Sequence, residues 1–130
     1  MSINTYSYTS KGSRDNNEDY CGFEVKDNSG VWVLADGLGG HDCGEIASKI
    51  ATEFILEVYK KVPDYSADSL IAIMNETNKK IIAEQNNNAL AKEMRTTIVA
   101  AFAKGNTFSY FNVGDSRVFY FKYGCLYTHS

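Results

Sequence analysis

Residues 31–51, VWVLADGLGGHDCGEIASKIA, decide the fold. The opening five, Val31–Ala35, are apolar and read as a buried strand. They run straight into Asp36-Gly37, and Gly39 and Gly40 follow at once. From Glu45 the period changes. Ala47, Ile50, Ala51, Phe54, Ile55 and Val58 recur at the spacing of one helix face. A strand, a stretch of nearly bare backbone and a helix therefore follow one another, with a single carboxylate where the strand gives way to the loop.

Working outward, residues 20–26, YCGFEVK, form a second strand candidate, and Asp27-Asn28-Ser29-Gly30 is a turn signal that makes a hairpin with Val31–Ala35. Residues 3–9, INTYSYT, alternate as a strand does. Downstream, Pro63-Asp64 breaks the first helix and Ser66 is an N-cap. Leu70, Ile73, Met74, Thr77 and Ile81 mark a second amphipathic helix. The polar run Gln85–Asn88 reads as its frayed end. The last third is β: Thr96–Ala103, Thr107–Val113 and Arg117–Tyr123 read as a three-stranded meander, turned by Lys104-Gly105-Asn106 and Gly114-Asp115-Ser116. Tyr123-Gly124 then reads as another turn, with a returning strand over 126–130. Strands, two helices and more strands predict an α+β layered domain, helices packed on sheets.

At 130 residues the chain is one domain by length, and 44% hydrophobic residues suffice for a core. A net charge of −3 with no basic block argues against nucleic acid. The longest apolar run, Ile98–Ala103, is far too short to cross a bilayer, so no membrane is expected. The first residues lack the apolar segment of a signal peptide, which points to the cytoplasm. Cys21, Cys43 and Cys125 are odd in number and lack metal-ligand spacing. They read as reduced thiols, most simply as small buried hydrophobes.

The glycines after Val31–Ala35 do not make a Walker loop, since no Lys-Ser/Thr follows them. They do not make a dinucleotide fingerprint either, because Asp42 stands where the third glycine belongs. A metal reading fits the chemistry better. Asp36 offers a hard oxygen, and Gly37 leaves its carbonyl open to the same ion, as Mg²⁺ or Mn²⁺ prefers. Upstream, Arg14-Asp15-Asn16-Asn17-Glu18-Asp19 precedes the strand that hairpins with Val31–Ala35. Glu18, Asp19 and Asp36 are therefore expected to converge at one sheet edge, with Arg14 beside them to fork phosphate oxygens. Taken alone, Asp-Gly is more often a turn and a charged loop more often a solvated surface.

Four blocks in order change that balance: Arg14-x-x-Asn17-Glu18-Asp19; Asp36-Gly37-x-Gly39-Gly40-His41-x-x-Gly44-Glu45-x-Ala47-Ser48; Met94-x-Thr96-Thr97; and Val113-Gly114-Asp115-Ser116-Arg117. Together they resemble the protein phosphatase 2C (PP2C) family of metal-dependent protein serine/threonine phosphatases, in its bacterial form. The resemblance implies a sandwich of two antiparallel sheets flanked by antiparallel helices. Residues 1–130 would then be a single partial domain, the N-terminal portion, with the C-terminal part missing. It implies two Mn²⁺ or Mg²⁺ ions at one end of the sandwich. Asp36 would bridge the ions and the Gly37 carbonyl would bind one. Glu18 and Asp19 would act as ligands or hold metal-bound waters, and Arg14 would grip the substrate phosphate. The activity implied is hydrolysis of phosphoserine and phosphothreonine in phosphoproteins by a metal-activated water.

The chain departs from the family pattern in three places. Arg95 replaces the glycine of Met-Gly-Thr-Thr. Leu38 stands where some members carry a proposed general-acid histidine, and His41, part of the bacterial pattern, is read as a helix cap or as an orienter of a carboxylate. No second Asp-Gly and no later Asp-Asn follow, so the remaining metal carboxylates of the family are absent. The 130 residues alone are therefore expected to be inactive or weak. The alternative is a non-catalytic, phosphatase-like binding or regulatory module. Gly114–Arg117 reads as a tight connection between core strands. An uncovered sheet face would expose Phe108, Tyr110, Phe111, Phe119, Tyr120 and Phe121, which predicts a homodimer or strand swap.

Overall fold

The computed structural model describes residues 3–39, 43–62 and 64–130. An antiparallel sheet of order β1-β2-β4-β5 runs through its centre, formed by Asp19–Lys26, Ser29–Leu38, Ile98–Lys104 and Thr107–Val113; the two-residue β3, Arg95–Thr96, extends it beside β2. Helices α1 (Gly44–Tyr59) and α2 (Ala67–Asn87) cover one face, followed by a 3-10 turn at Ala89–Ala91. A separate two-stranded ribbon, β6 (Phe119–Lys122) with β7 (Cys125–His129), completes an α+β architecture.

The period of two in β2 determines which face is covered. Val31, Val33 and Ala35 point toward the helices and are buried, whereas Leu34 and Asp36 on the other face are exposed. On β4 the covered residues are Ile98, Ala100 and Phe102. Helix α1 answers with small residues, Ala47, Ser48, Ala51 and Thr52, all fully buried, so its backbone lies close on the sheet. Gly22 of β1 permits that approach: a Cβ there would meet Leu56 Cδ1 at 2.8 Å. Helix α2 adds Leu70, Ile73 and Ile81. Its N-cap is Ser66, as expected, with Asp64 Oδ1 accepting from Ser66 N at 3.0 Å and from Ser69 Oγ at 2.8 Å.

Several boundaries differ from expectation. Residues 3–9 form no strand. They cross the outer sheet face, where Thr5 Oγ1 accepts a 2.9 Å hydrogen bond from Trp32 Nε1 and Tyr6 is 93% exposed. Their alternation finds no ladder to join. Gln85–Asn87 belong to α2 rather than to a loop, because Gln85 Nε2 donates to Met94 O at 2.8 Å and ties the last turn down. The first hairpin turns tightly at Asp27-Asn28, with Asp27 in the left-handed region at φ 53°, and Ser29-Gly30 are already strand. The C-terminal meander has two core strands, not three. After Val113 the chain leaves the sheet, and 119–122 pair with the returning strand instead. Among the aromatics expected to be uncovered, Phe108, Phe119 and Phe121 are exposed, while Tyr110, Phe111 and Tyr120 are half-buried. Cys21, Cys43 and Cys125 form no disulfide with one another, and only Cys43 is a buried hydrophobe as expected, Cys21 being half-buried and Cys125 exposed. No helix among the described residues is long and apolar enough to cross a membrane.

Candidate metal centre

Asp36 lies within β2 rather than at its end. The strand continues through Gly37 and Leu38 because Thr96 and Arg95 of β3 pair with them. On its other side, Asp36 stands directly opposite Asp19, the first residue of β1. Paired residues of an antiparallel ladder project to the same face, so the hairpin brings the two carboxylates together.

The electrostatics record that meeting. Although exposed to solvent, the Asp36 carboxyl is pushed above its ordinary range, first by partial desolvation, next by the charge and hydrogen bond of Asp19, then by the charge of Asp115; Arg14 opposes the shift. Two acids held side by side resist ionising together, and a divalent cation between them would remove the penalty. Asp115 was read from sequence only as part of a turn. Its charge nevertheless acts on Asp36, and nothing in the local motif signals this, because β5 must first be laid beside β4 to bring residue 115 to this end of the sheet.

Glu18 does not join the pair. Its carboxylate sits at the start of α1, where a Cβ on Gly44 would fall 2.8 Å from Glu18 Cδ. A negative charge at that helix end is favourable. Arg14 Nη1 lies 3.9 Å from Glu18 Oε2, with the arginine side chain 72% exposed and the glutamate 15%. Arg14, Glu18, Asp19 and Asp36 line one polar groove of about 200 Å³ together with Ser10, Lys11, Asn16 and Asn17. Arg14, Glu18, Asp19 and Asp36 thus border one groove, in which Asp19 and Asp36 face each other across the hairpin.

Gly37 has a packing role beyond the one read from sequence. A Cβ there would collide with the Gly44 carbonyl oxygen and lie 2.6 Å from that of Glu18. Strand β2, the Arg14–Asp19 loop and the start of α1 therefore meet backbone to backbone. Leu38 pairs with Arg95 across β2 and β3, and both side chains are exposed, so the arginine is accommodated at the sheet margin. His41 lies outside the described residues.

The donor chemistry fits a hard divalent cation, since Asp19 and Asp36 offer carboxylate oxygens and nothing soft lines the groove. Among the described residues no three His, Cys, Asp or Glu side chains stand close enough together to hold a metal ion.

The sheet is thus backed by a helix pair and carries paired acids and an arginine at one end. The chain belongs to the protein phosphatase 2C family, whose model matches residues 9–128. It is 34% identical over 110 residues to the serine/threonine phosphatase stp of Listeria monocytogenes serotype 4b (strain F2365), covering 80% of this chain and 44% of that protein. With the serine/threonine protein phosphatase PstP of Mycobacterium tuberculosis (strain CDC 1551 / Oshkosh) it shares 32% identity over 115 residues, 87% of this chain and 21% of that one. Among solved structures, the catalytic domain of PstP in complex with two manganese ions superposes with a TM-score of 0.74 at 30% identity, covering 87% of this chain and 48% of that one. Stp1 from Staphylococcus aureus gives 0.72 at 32%, covering 84% and 45%. The chain thus spans less than half the length of these relatives.

Proposed function

We propose that this chain contributes the Arg14–Asp19–Asp36 half of a Mn²⁺- or Mg²⁺-dependent protein serine/threonine phosphatase site whose substrates are phosphoserine and phosphothreonine in phosphoproteins. The supporting observation is the direct pairing of Asp19 with Asp36 in a groove that also presents Arg14. In this reading Asp36 holds the metal from its carboxylate and Gly37 from its carbonyl. Asp19 completes the near side, and Glu18, anchored at α1, holds water. The exposed Arg14 guanidinium forks two oxygens of the incoming ester and orients the phosphorus toward the acids. When bound, the two ions supply an acidified water and neutralise charge growing on the phosphoryl oxygens.

Two paired carboxylates hold Mg²⁺ weakly, because the ion keeps most of its waters when few acids bind it. The 130 residues alone are therefore assigned little or no turnover. The test compares Mn²⁺-dependent hydrolysis of p-nitrophenyl phosphate and of a phosphothreonine peptide by this chain and by the chain extended to full family length. The longer protein is expected to turn over and to lose at least 100-fold in rate with Asp36→Asn, the scale on which positioned charge contributes to catalysis. Loss of phosphopeptide binding with Arg14→Ala should accompany it. An extended protein that binds the phosphopeptide, ignores Mn²⁺ and is indifferent to Asp36→Asn would instead be a non-catalytic binding module.

A further inference from the structure

The hydrogen bonds that hold Asp36 in place come from three segments far apart in sequence. On the β1 side its neighbour Gly37 donates from N to Glu18 O at 3.1 Å, and the buried Ser48 Oγ of α1 donates to the same carbonyl at 2.6 Å. The residue preceding Asp19 is thereby clamped between strand and helix. On the other side the regular ladder lapses. Strand β2 pairs with β4 only as far as Leu34↔Val99 and resumes with β3 at Gly37↔Thr96, which leaves Ala35 and Asp36 opposite the break at Thr97.

Across that break the hydroxyls of two threonines do part of what a ladder would do. Asp36 N donates to Thr97 Oγ1 at 3.2 Å. Asp36 O accepts from Thr97 N at 2.9 Å and from Thr96 Oγ1 at 3.0 Å. Thr97 is fixed in turn by the connection after β5. Its Oγ1 meets Ser116 Oγ at 2.6 Å, and Gly114 packs so closely that a Cβ there would fall 2.7 Å from Thr97 Cγ2. Gly114 has φ 102°, which suits glycine, so the connection can turn against Thr97 without a side chain intervening.

We propose that Ser116 is a positioning residue: acting through the Thr97 hydroxyl, it fixes the Asp36 backbone and thereby the seat of the Asp36 carboxylate opposite Asp19. This rests on the metal-site reading above and gives the Gly114–Arg117 motif a task beyond turning the chain. A shell of groups that orient ligands typically contributes 10–100-fold in metal affinity.

The experiment uses the whole chain and two readouts. Amide hydrogen exchange at Asp36 reports the relay directly, and Mn²⁺ titration, followed by paramagnetic broadening of the Asp36 and Gly37 amides, reports the seat. Ser116→Ala is expected to speed Asp36 exchange and to weaken Mn²⁺ about tenfold. Ser116→Thr, which keeps the hydroxyl, should restore both. Thr77→Ala, which removes a buried hydroxyl bond to Ile73 O within α2, should lower Tm and move neither readout. If Ser116→Ala leaves Asp36 exchange unchanged, or leaves Mn²⁺ affinity within twofold of the parent, the assignment is wrong. If the parent chain itself shows no broadening at these amides, the metal-site reading fails, and Asp36 exchange alone still decides the role of Ser116.

Discussion

The helix-covered sheet and the β6–β7 ribbon are both rich in apolar and aromatic residues, yet they are held in different ways. In the sheet, Phe102 is fully buried and sits in a run of rings, 5.2 Å from Tyr65 and 6.1 Å from Phe111. In the ribbon, Phe121 is 59% exposed. The ribbon touches the sheet lightly, through Tyr120 stacked on Phe108 at 5.0 Å and Tyr110 Oη donating to His129 O at 3.5 Å. A two-stranded ribbon has one pairing and no second layer to bury its side chains, so it contributes little to stability by itself. Aromatic content does not make a core; a facing layer does.

The largest test of that contrast is Phe102→Ala. It should cost about 3–5 kcal/mol, as truncation of a buried aromatic does, and leave the domain at the margin of folding in urea titration. Second comes Gly37→Ala. The added methyl meets backbone of Gly44 and Glu18 that cannot rotate away, which is worth about 1–3 kcal/mol of overpacking, read by thermal melting. The strand, loop and helix would have to part, so Mn²⁺ binding should fall with it. Third is a pH effect at the start of α2. Hydrogen bonds from Ser66 and Ser69 pull the Asp64 carboxyl from 3.8 down to about 2. A depressed acid stabilises the fold fully above its ordinary value. That contribution should fade as pH falls from about 4 toward 2, seen as fraying of the Ser66–Leu70 amides in NMR. Asp64→Asn should remove the window. The smallest effect is expected for Phe121→Ser, within about 0.5 kcal/mol for the monomer. Its consequence lies between molecules. With the ribbon aromatics exposed, light scattering at high concentration is expected to show the parent chain as a dimer and the variant shifted toward monomer. A parent that remains monomeric, or a Phe121→Ser variant as destabilised as Phe102→Ala, would erase the distinction between the two regions.

Much of the fold could be read from periodicity. The faces of α1 and α2 follow from Ala47, Ile50, Ala51 and Ile55 and from Leu70, Ile73, Thr77 and Ile81, and the β1–β2 hairpin follows from its turn residues. Residues 3–9 misled because alternation states only that a segment could pair, not that a partner exists. The meander misled for a related reason: β6 has the composition of a sheet strand, but Gly114–Arg117 turns the chain away toward β7. At the site, the hairpin connection was sufficient to expect Asp19 and Asp36 at one sheet edge, but their facing register follows only from the tighter turn at Asp27-Asn28. It could not foresee Glu18 turning to the start of α1, or Asp115 making itself felt at Asp36.

By itself, the sequence determined which residues can pair locally: the carboxylates of one hairpin, the glycines between strand and helix, and the apolar stripe of each helix, because these depend on spacing along a few turns or strand steps. Only the tertiary structure decided what reaches Asp36 from afar: Ser48 through the Glu18 carbonyl, Ser116 through Thr97, and the charge of Asp115. Those contacts join residues tens of positions apart, and they exist only after α1 has docked on the sheet, β4 has taken its place beside β2 and β5 has joined β4.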